Sequence, residues 1–204
     1  MVVTNLVNSD SELTRFLICH NYSWGGEVII LKLIEPDEKY LEQYKEAYLL
    51  SLEQIRLGNV KRHNLGLVNP DKHDVIRFHI DSRDESKIPS YCPPSYDYFA
   101  VDGNKFIGIV NIRVRLTESS SKTGGHIGYT VNPQYWRMGY GKKILKMALQ
   151  YKDLIEEEEI LMTCDDDNVG SYKIIEANGG QLENKVEDED CGEKFLTRRY
   201  WIKK

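Results

Sequence analysis

The feature that most constrains this fold is a change of hydrophobic period at Asn132-Pro133. Before it, apolar and polar side chains alternate along the chain, which is typical of strands with one buried face. After it, the apolar positions follow the helical period: Ile144, Leu145, Ala148 and Leu149. A strand therefore ends near Asn132, a helix begins near Met138, and a short loop joins the two.

That loop, "YWRMGYGKKIL" at 135–145, carries cations where a helix favours acids. Arg137, Lys142 and Lys143 surround the first turn, although the N-terminus is the positive end of the helix macrodipole. An anion held by the unpaired backbone N–H groups would stabilise this arrangement, and Gly139 and Gly141 would let it approach the backbone. Without a ligand, the same residues would be solvated cations and turn glycines.

Neither common nucleotide motif fits the loop. A dinucleotide-binding fingerprint would need a third glycine where Ile144 stands. A Walker A loop would need Ser or Thr in place of Lys143. The loop therefore predicts a phosphate site of another kind.

The segments before the loop predict an antiparallel meander. "YDYFAV" and "KFIGIVNIRVRL" flank the turn Asp102-Gly103-Asn104, and "HIGYTV" at 126–131 adds a third strand. Upstream, "VIILKLI" at 28–34 is β-rich, and a helix with one buried stripe follows Pro36-Asp37.

The segments after the loop predict two more strands and a helix. "EILMTC" at 159–164 has the pattern of a short buried strand, and a helix begins near Asp167 or Asn168, which are natural N-caps, and ends at Gly179-Gly180. The acidic loop "EDED" at 187–190 then precedes a final strand, "KFLTRRYWIK". We expect one domain at 27–204, with residues 1–26 as an N-terminal extension or short helix.

Composition excludes several classes of protein. A chain of 204 residues with 41% hydrophobic and 29% charged residues is typical of a soluble globular domain. Its net charge of −5 disfavours nucleic acid as the main partner. The apolar run at 28–34 is short and contains Lys32, so we expect no membrane partner and a cytoplasmic location. The 4 cysteines are scattered without metal-binding spacing, so we expect reduced thiols and no metal.

Four ordered motifs resemble those of the GNAT superfamily of N-acetyltransferases. "V-N-P-x-x-W-R-M-G-Y-G-K-K-I-L" is similar to its acetyl-coenzyme A (acetyl-CoA) motif, and "DDDNVGSYKIIEANGG" to its downstream Asn-x-x-Ser stretch. "GGHIGYTV" and the terminal "RRYWI" resemble a bacterial subgroup of unassigned substrate. Over residues 28–202 the resemblance implies an α/β fold with a GNAT-like mixed sheet flanked by helices: an antiparallel N-terminal meander, then a parallel pair at the cofactor cleft.

The resemblance also implies the cofactor-binding residues. Backbone N–H groups of the loop would bind the pyrophosphate of coenzyme A: Arg137, Met138, Gly139, Tyr140, Gly141 and Lys142. The strand segment Tyr129, Thr130 and Val131 would pair with the pantetheine arm, and Asn168 and Ser171 would line the cleft. Two positions depart from the family pattern: Trp136 replaces its usual Gln or Arg, and Ile175 its usual proton-donating Tyr.

Acetylation of an amine requires a base, because an amine of pKa ~10.4 is protonated at neutral pH. His126, at the start of a cleft strand, is the candidate base, although a histidine there could instead hydrogen-bond a loop. Asp165 or Glu118 acting through water are alternatives, and Cys164 could be imagined as an acyl carrier. Arg113 and Arg115 share a strand face and could hold a carboxylate of the acceptor, or simply form a solvated surface.

These residues predict an acetyl-CoA-dependent N-acetyltransferase that moves the acetyl group directly to an amine of a small molecule or protein. A non-catalytic acyl-CoA sensor with the same pocket is an alternative that Ile175 motivates. A third possibility is an interaction protein that uses the acidic loops. The expected partner is a small-molecule or peptide amine, and a homodimer is possible for such a chain.

Overall fold

The structure is a computed structural model that describes residues 18–24, 27–190 and 192–204. Most of the predicted N-terminal extension, 1–17 and 25–26, lies outside the described residues. Its segment 18–24 is a strand, which sequence analysis did not predict.

The first sheet contains five strands in chain order, and each neighbouring pair is antiparallel. The strands are β1 (Ile18–Trp24), β2 (Glu27–Ile34), β3 (Ser95–Asp102), β4 (Lys105–Arg113) and β5 (Ile127–Val131). Asp102 pairs with Lys105 across the predicted turn, where Gly103 has a φ of 58°. The predicted antiparallel meander is therefore confirmed.

The second sheet contains three antiparallel strands in the order β6-β8-β7. They are β6 (Glu159–Asp165), β7 (Gln181–Asp190) and β8 (Glu193–Lys203). The predicted acidic loop at 187–190 is wrong, because these residues continue β7, with Asp188 paired to Phe195. Pairing with β8 satisfies the backbone of β7 while Glu187 and Glu189 remain exposed to water.

The described part of the chain contains four α-helices that contact the strands: α1 (Leu41–Arg56), α2 (Val75–Asp81), α3 (Tyr140–Ala148) and α4 (Val169–Glu176). The buried stripe of α1 includes Tyr44 and Ala47, which pack with Phe99 and Phe106 on one sheet face. Among the described residues, no helix is both long enough and apolar enough to cross a bilayer.

A second core cluster joins both sheets to α3. It contains Val110 of β4, Ile144 and Leu145 of α3, and Ile160 and Met162 of β6, each at most 1% exposed. The apolar positions that repeat with helical spacing after Asn132-Pro133 are therefore the buried face of α3. Helix α3 therefore fixes how β5 and β6 stand relative to each other.

Strands β5 and β6 meet at one end only. The His126 N–H donates to the Leu161 carbonyl at 2.7 Å, and the two strands then belong to the edges of different sheets. The parallel pair expected at the cleft is therefore not a strand pairing of either sheet; the hydrogen-bonded strand pairs among the described residues are all antiparallel. Divergence after one bond leaves a gap between two strand edges.

Gly125 permits the close approach at this junction. Its φ is 65° with ψ −179°, a region open to glycine almost exclusively. A Cβ there would lie 2.7 Å from the Leu161 carbonyl oxygen and 3.2 Å from Thr163 N. Both neighbours are backbone atoms, which cannot move aside as a flexible side chain can.

We expect Gly125→Ala to lower the free energy of unfolding by about 3 kcal/mol, because backbone strain adds to overlap with β6. Gly103→Ala is the matched control, since Gly103 also has a positive φ but has open space around it. Gly103→Ala should lower the free energy of unfolding by about 1 kcal/mol, because it adds only the cost of a left-handed backbone at alanine. Urea unfolding of both variants measures the difference, and equal losses would show that the junction does not depend on Gly125.

Candidate functional site

A cleft of about 1830 Å³ runs through the gap between β5 and β6. Five parts of the chain form its walls: β5, the end of β6, the loop before α3, the start of α4 and the segment between α1 and α2. Its lining includes Arg137, Gly139, Gly141 and Lys142 around the start of α3 and, from other elements, His63, Asp97 and Asp165. Most of the residues predicted to bind the cofactor therefore lie along one continuous cavity.

The loop before α3 has the backbone form of an anion-binding nest. Among the described residues, Arg137 is the one non-glycine residue with a positive φ, at 61°, and Gly139 follows at 79°. Left-handed residues within a turn direct successive N–H groups into one concave site. No side chain caps the start of α3, and its first turn contains no acid. The first backbone N–H groups of α3 therefore have no side-chain acceptor among the described residues.

Two of the three cations near this helix start line the cleft. Arg137 and Lys142 do, whereas Lys143 lies with its ammonium 5.6 Å from the Tyr140 ring centre. Burial lowers the pKa of Lys143, with the Asp102 carboxylate opposing the shift. Of the three cations predicted to surround an anion, two therefore reach the cleft. Met138, also a predicted cofactor residue, is exposed and is not in the lining.

Strand β5 presents its residues to opposite faces of the sheet. Tyr129 and Val131 pack toward the core that includes α3, and Thr130 points to the other face, against Gly66. Trp136 donates its indole N–H to the Val131 carbonyl at 2.7 Å, which holds the loop before α3 against the strand. Trp136 therefore has a structural contact at the position where the family pattern has Gln or Arg.

The Tyr129 hydroxyl is buried without a hydrogen-bond partner among the described residues. Burial raises the pKa of Tyr129 to about 12, while the neighbouring Ser171 hydroxyl lowers it and Cys164 adds to the increase. A buried polar group without a partner costs free energy unless a ligand or water satisfies it. The hydroxyl therefore remains protonated at neutral pH and is suited to donate to a bound group.

Helix α4 begins as predicted. The Asn168 side chain accepts from Ser171 N at 3.0 Å, an N-cap contact, and both residues line the cleft. Ile175 is 1% exposed and belongs to the core. Burial raises the pKa of the Cys164 thiol to about 12, which disfavours the thiolate that an acyl carrier would need.

His126 is fully buried and is not part of the cleft lining. Its Nδ1 accepts from Leu161 N at 2.8 Å, and its Nε2 lies 3.0 Å from Glu157 Oε2. Burial lowers its pKa, and the Glu157 carboxylate opposes this shift. The structure therefore does not bring His126 to the cleft as the candidate base; the ring instead reinforces the junction of β5 and β6.

The two predicted acceptor-binding arginines have separate roles. Arg113 lines the cleft, but its guanidinium donates to the carbonyls of Gly124 and Gly125 at 3.1 and 2.7 Å. Arg115 lies outside the lining and pairs with Glu85 at 2.8 Å. The structure does not bring the two side chains together. Glu118, an alternative base, is exposed and outside the lining.

Two histidine–carboxylate pairs in the cleft lining were missed by sequence analysis. His63 Nε2 lies 3.0 Å from Asp165 Oδ2, and His79 Nδ1 lies 2.6 Å from Asp97 Oδ2. Tyr44 Oη approaches His79 Nε2 at 3.2 Å, which occupies the second nitrogen of that ring. Both histidines lie in the weakly patterned segment 57–95, where no periodicity indicated which side chains face inward.

An uncapped helix with an N-terminal nest beside two separated strand edges is the arrangement expected of a protein that binds a phosphate-bearing ligand with an extended arm. The family model for the GNAT acetyltransferase domain matches residues 60–181 of the chain, and the chain belongs to this family. A curated relative, the uncharacterized N-acetyltransferase YfmK of Bacillus subtilis strain 168, is 31% identical over 130 residues, which cover 64% of this chain and 68% of that protein.

Solved structures share the fold at low sequence identity. The ribosomal protein alpha-N-acetyltransferase RimL, solved in complex with coenzyme A, is 15% identical with a TM-score of 0.60 over 85% of this chain and 93% of its own. The microcin self-immunity acetyltransferase MccE, in complex with acetyl-CoA and AMP, is 19% identical with a TM-score of 0.57 over 85% and 92%. A GNAT-family acetyltransferase from Bacillus anthracis is 18% identical with a TM-score of 0.58 over 85% and 94%.

The burial of His126 has a consequence for stability. Because burial lowers its pKa below the ordinary value of 6.5, the unfolded chain binds this proton more readily than the folded one. The stability that depends on neutral His126 is therefore present above about pH 6.5 and is lost as the pH falls through the folded-state pKa.

We expect His126→Asn, which keeps an acceptor near the position of Nδ1 but does not titrate, to lose less stability than the wild type between pH 7 and pH 5. His73→Gln removes an exposed imidazole and should keep the wild-type pH dependence. Chemical denaturation across this range measures all three proteins. If the free energy of unfolding of His126→Asn falls with pH as steeply as that of the wild type, this pH dependence does not come from His126.

Proposed function

We propose that this protein is an acetyl-CoA-dependent N-acetyltransferase that transfers an acetyl group directly to an amine of a small molecule or a protein. The observation that carries the proposal is the nest at Arg137 and Gly139, which opens into the same cleft as the gap between β5 and β6. Membership of the GNAT family supports the reaction class.

The residues of the loop fit the pyrophosphate of coenzyme A. The first N–H groups of α3 would donate to phosphate oxygens, and the helix dipole favours the same anion. Arg137 and Lys142 would add charge-assisted contacts. Gly141 is suited to this place because it is buried, and a Cβ on it would lie 2.8 Å from Ile174 Cδ1.

The two strand edges fit an extended arm. Beyond the junction, β5 is the last strand of one sheet and β6 the last of the other, so their facing backbone groups have no strand partner there. Thr130 directs its backbone groups to β4, because Arg113 N–H donates to the His126 carbonyl and Asn132 N–H to the Ile107 carbonyl, and paired residues alternate along an antiparallel ladder. The Val131 carbonyl already accepts from Trp136. The Tyr129 N–H and C=O and the Val131 N–H would therefore be available to the amides of pantetheine. Bound acetyl-CoA would supply the activated acetyl group at the end of this arm.

Tyr129 is placed to supply the proton that the transfer requires on sulfur. Its hydroxyl stays protonated, lacks a partner and lies beside Ser171, on the sheet face that packs against α3 and α4. It would replace the family tyrosine whose position is occupied here by Ile175. A thiolate that leaves on this face could take a proton from Tyr129 Oη.

A non-catalytic acyl-CoA sensor is the second candidate, because Ile175 removes the usual proton donor of the family. The two candidates share the cofactor site and differ in turnover. The identity of the amine acceptor, a homodimer and a cytoplasmic location stay predictions.

Coenzyme A binding tests both candidates. Acetyl-CoA at about 100 times its dissociation constant should raise the free energy of unfolding by about 2.7 kcal/mol. Lys142→Ala should weaken binding by about tenfold through loss of a charge-assisted contact of about 1.5 kcal/mol. Lys146→Ala, an exposed lysine one turn later on α3, should bind as the wild type does. Calorimetric titration measures the constants, and a wild type that does not bind would sink both candidates.

Turnover distinguishes the acetyltransferase from the non-catalytic sensor. Thiol release from acetyl-CoA, measured with polyamines, amino acids, aminoglycosides and peptides, should identify an acceptor. We expect Tyr129→Phe to lower kcat by about 10²-fold with unchanged acetyl-CoA affinity, because a positioned acid contributes about 10² to 10⁴. Tyr172→Phe is the matched control, since Tyr172 stacks on Arg198 outside the cleft lining. Binding without turnover on any amine would favour the sensor, and full activity in Tyr129→Phe would exclude it as the acid.

A further inference from the structure

His63 and Asp165 form a histidine–carboxylate pair in the cleft lining. His63 Nε2 lies 3.1 Å from Asp165 Oδ1 and 3.0 Å from Oδ2, although the two residues are 102 positions apart. The Asp165 side chain is 5% exposed and the His63 side chain 22%, so the carboxylate is buried and the imidazole can still be reached.

The Asp165 carboxylate of β6 is held by other residues of the segment between α1 and α2, which also carries His63. Asn64 Nδ2 donates to its Oδ2 at 2.8 Å, and Lys61 Nζ lies 3.5 Å from that oxygen. Lys61 also pairs with Asp167 at 3.0 Å. The carboxylate therefore has a hydrogen-bond donor, a cation and the imidazole around it, which is the surrounding that a buried charge requires.

The orientation of the His63 ring is set on both sides. Phe195 of β8 stacks on it with ring centres 4.4 Å apart and planes 24° apart. Because Asp165 accepts from Nε2–H, the neutral ring has its lone pair on Nδ1. Among the described residues, no group hydrogen-bonds to Nδ1. The ring is held in one tautomer with a basic nitrogen left open.

The loop that carries His63 crosses the gap between the two sheets. Gly66 packs so closely on Thr130 of β5 that a Cβ would overlap Thr130 Oγ1, and His63 contacts Asp165 of β6. On β5, Thr130 points away from the face of Tyr129, and on β6, Asp165 points away from the face of Cys164, which packs on the core. His63 and Tyr129 therefore approach the gap from opposite faces.

We propose that His63 is the general base that deprotonates the amine acceptor, and that Asp165 is its positioning residue. This inference rests on the proposed acetyltransferase function. The amine nitrogen forms the new bond to the acetyl carbon, its proton passes to His63 Nδ1, and the carbon–sulfur bond breaks with its electron pair on sulfur. The sulfur then takes a proton from the opposite face, where Tyr129 lies.

The other paired histidines do not fit this role. His126 is fully buried at the junction, and His79 has both nitrogens within hydrogen-bond reach of Asp97 and Tyr44 and is 3% exposed. The titratable and charged groups that face His63 are Asp165, Lys61 and Asp167, with Cys164 next along β6; β8 contributes the Phe195 ring.

The experiment uses the full chain and the amine that gives the highest turnover in the thiol-release panel. His63→Gln keeps a donor to Asp165 but has no basic nitrogen. We expect it to lower kcat/KM by about 10²-fold or more, to lose the acid limb of the pH–rate profile and to bind acetyl-CoA as the wild type does. Asp165→Asn should give a smaller loss. Lys146→Ala, which removes an exposed cation outside the cleft lining, should match the wild type in rate and pH profile.

A second measurement is independent of activity. In the wild type, the ¹⁵N shifts of the His63 ring should show a proton on Nε2 and none on Nδ1 at neutral pH, and Asp165→Asn should change this tautomer ratio. A proton fixed on Nδ1, or full activity in His63→Gln, would overturn the inference while leaving the acetyltransferase intact. Acetyl-CoA binding without any acetyl transfer would instead overturn the proposed function and the base assignment with it.

Discussion

One backbone hydrogen bond, from His126 N–H to the Leu161 carbonyl, determines where the cleft of this protein opens. It joins β5 and β6 at one end, and Gly125 permits the approach. Beyond it each strand is the edge of its own sheet, and strand edges with unpaired N–H and C=O groups require a partner. The cleft therefore follows from the incomplete closure of two sheets, and the buried His126 ring strengthens the closed end by accepting from Leu161 N.

Two parts of the cleft lining have different chemistry because different elements reach them. Helix α3 brings its uncapped N-terminus, Arg137 and Lys142 to one part, where an anion is favoured. The segment between α1 and α2 brings His63 to Asp165 in another part, where a proton can be accepted. Under the proposed function, the acyl donor would lie between β5 and β6, and the amine would approach it from the face of His63.

Local patterns predicted what depends on neighbours in sequence. The meander around Gly103, the helical stripe of α3 and the Asn168 cap all arise from residues a few positions apart, and the structure has all three. The strand 18–24 and the extension of β7 through 187–190 were missed because pairing with the next strand, β2 or β8, decides them and their own residue patterns do not. An acidic sequence can form a strand when its partner supplies the backbone contacts and its side chains face water.

By itself, the sequence determined the glycine-opened helix after a strand, its cations and the motifs of an acetyltransferase family. Only the tertiary structure decided which side chains reach the cleft. It buried His126 at the sheet junction, turned Lys143 toward Tyr140, and placed His63 against Asp165 across 102 positions. The physical reason is that backbone geometry at a loop is set by nearby residues, whereas the solvent exposure and the partners of a side chain depend on which distant strands pack around it.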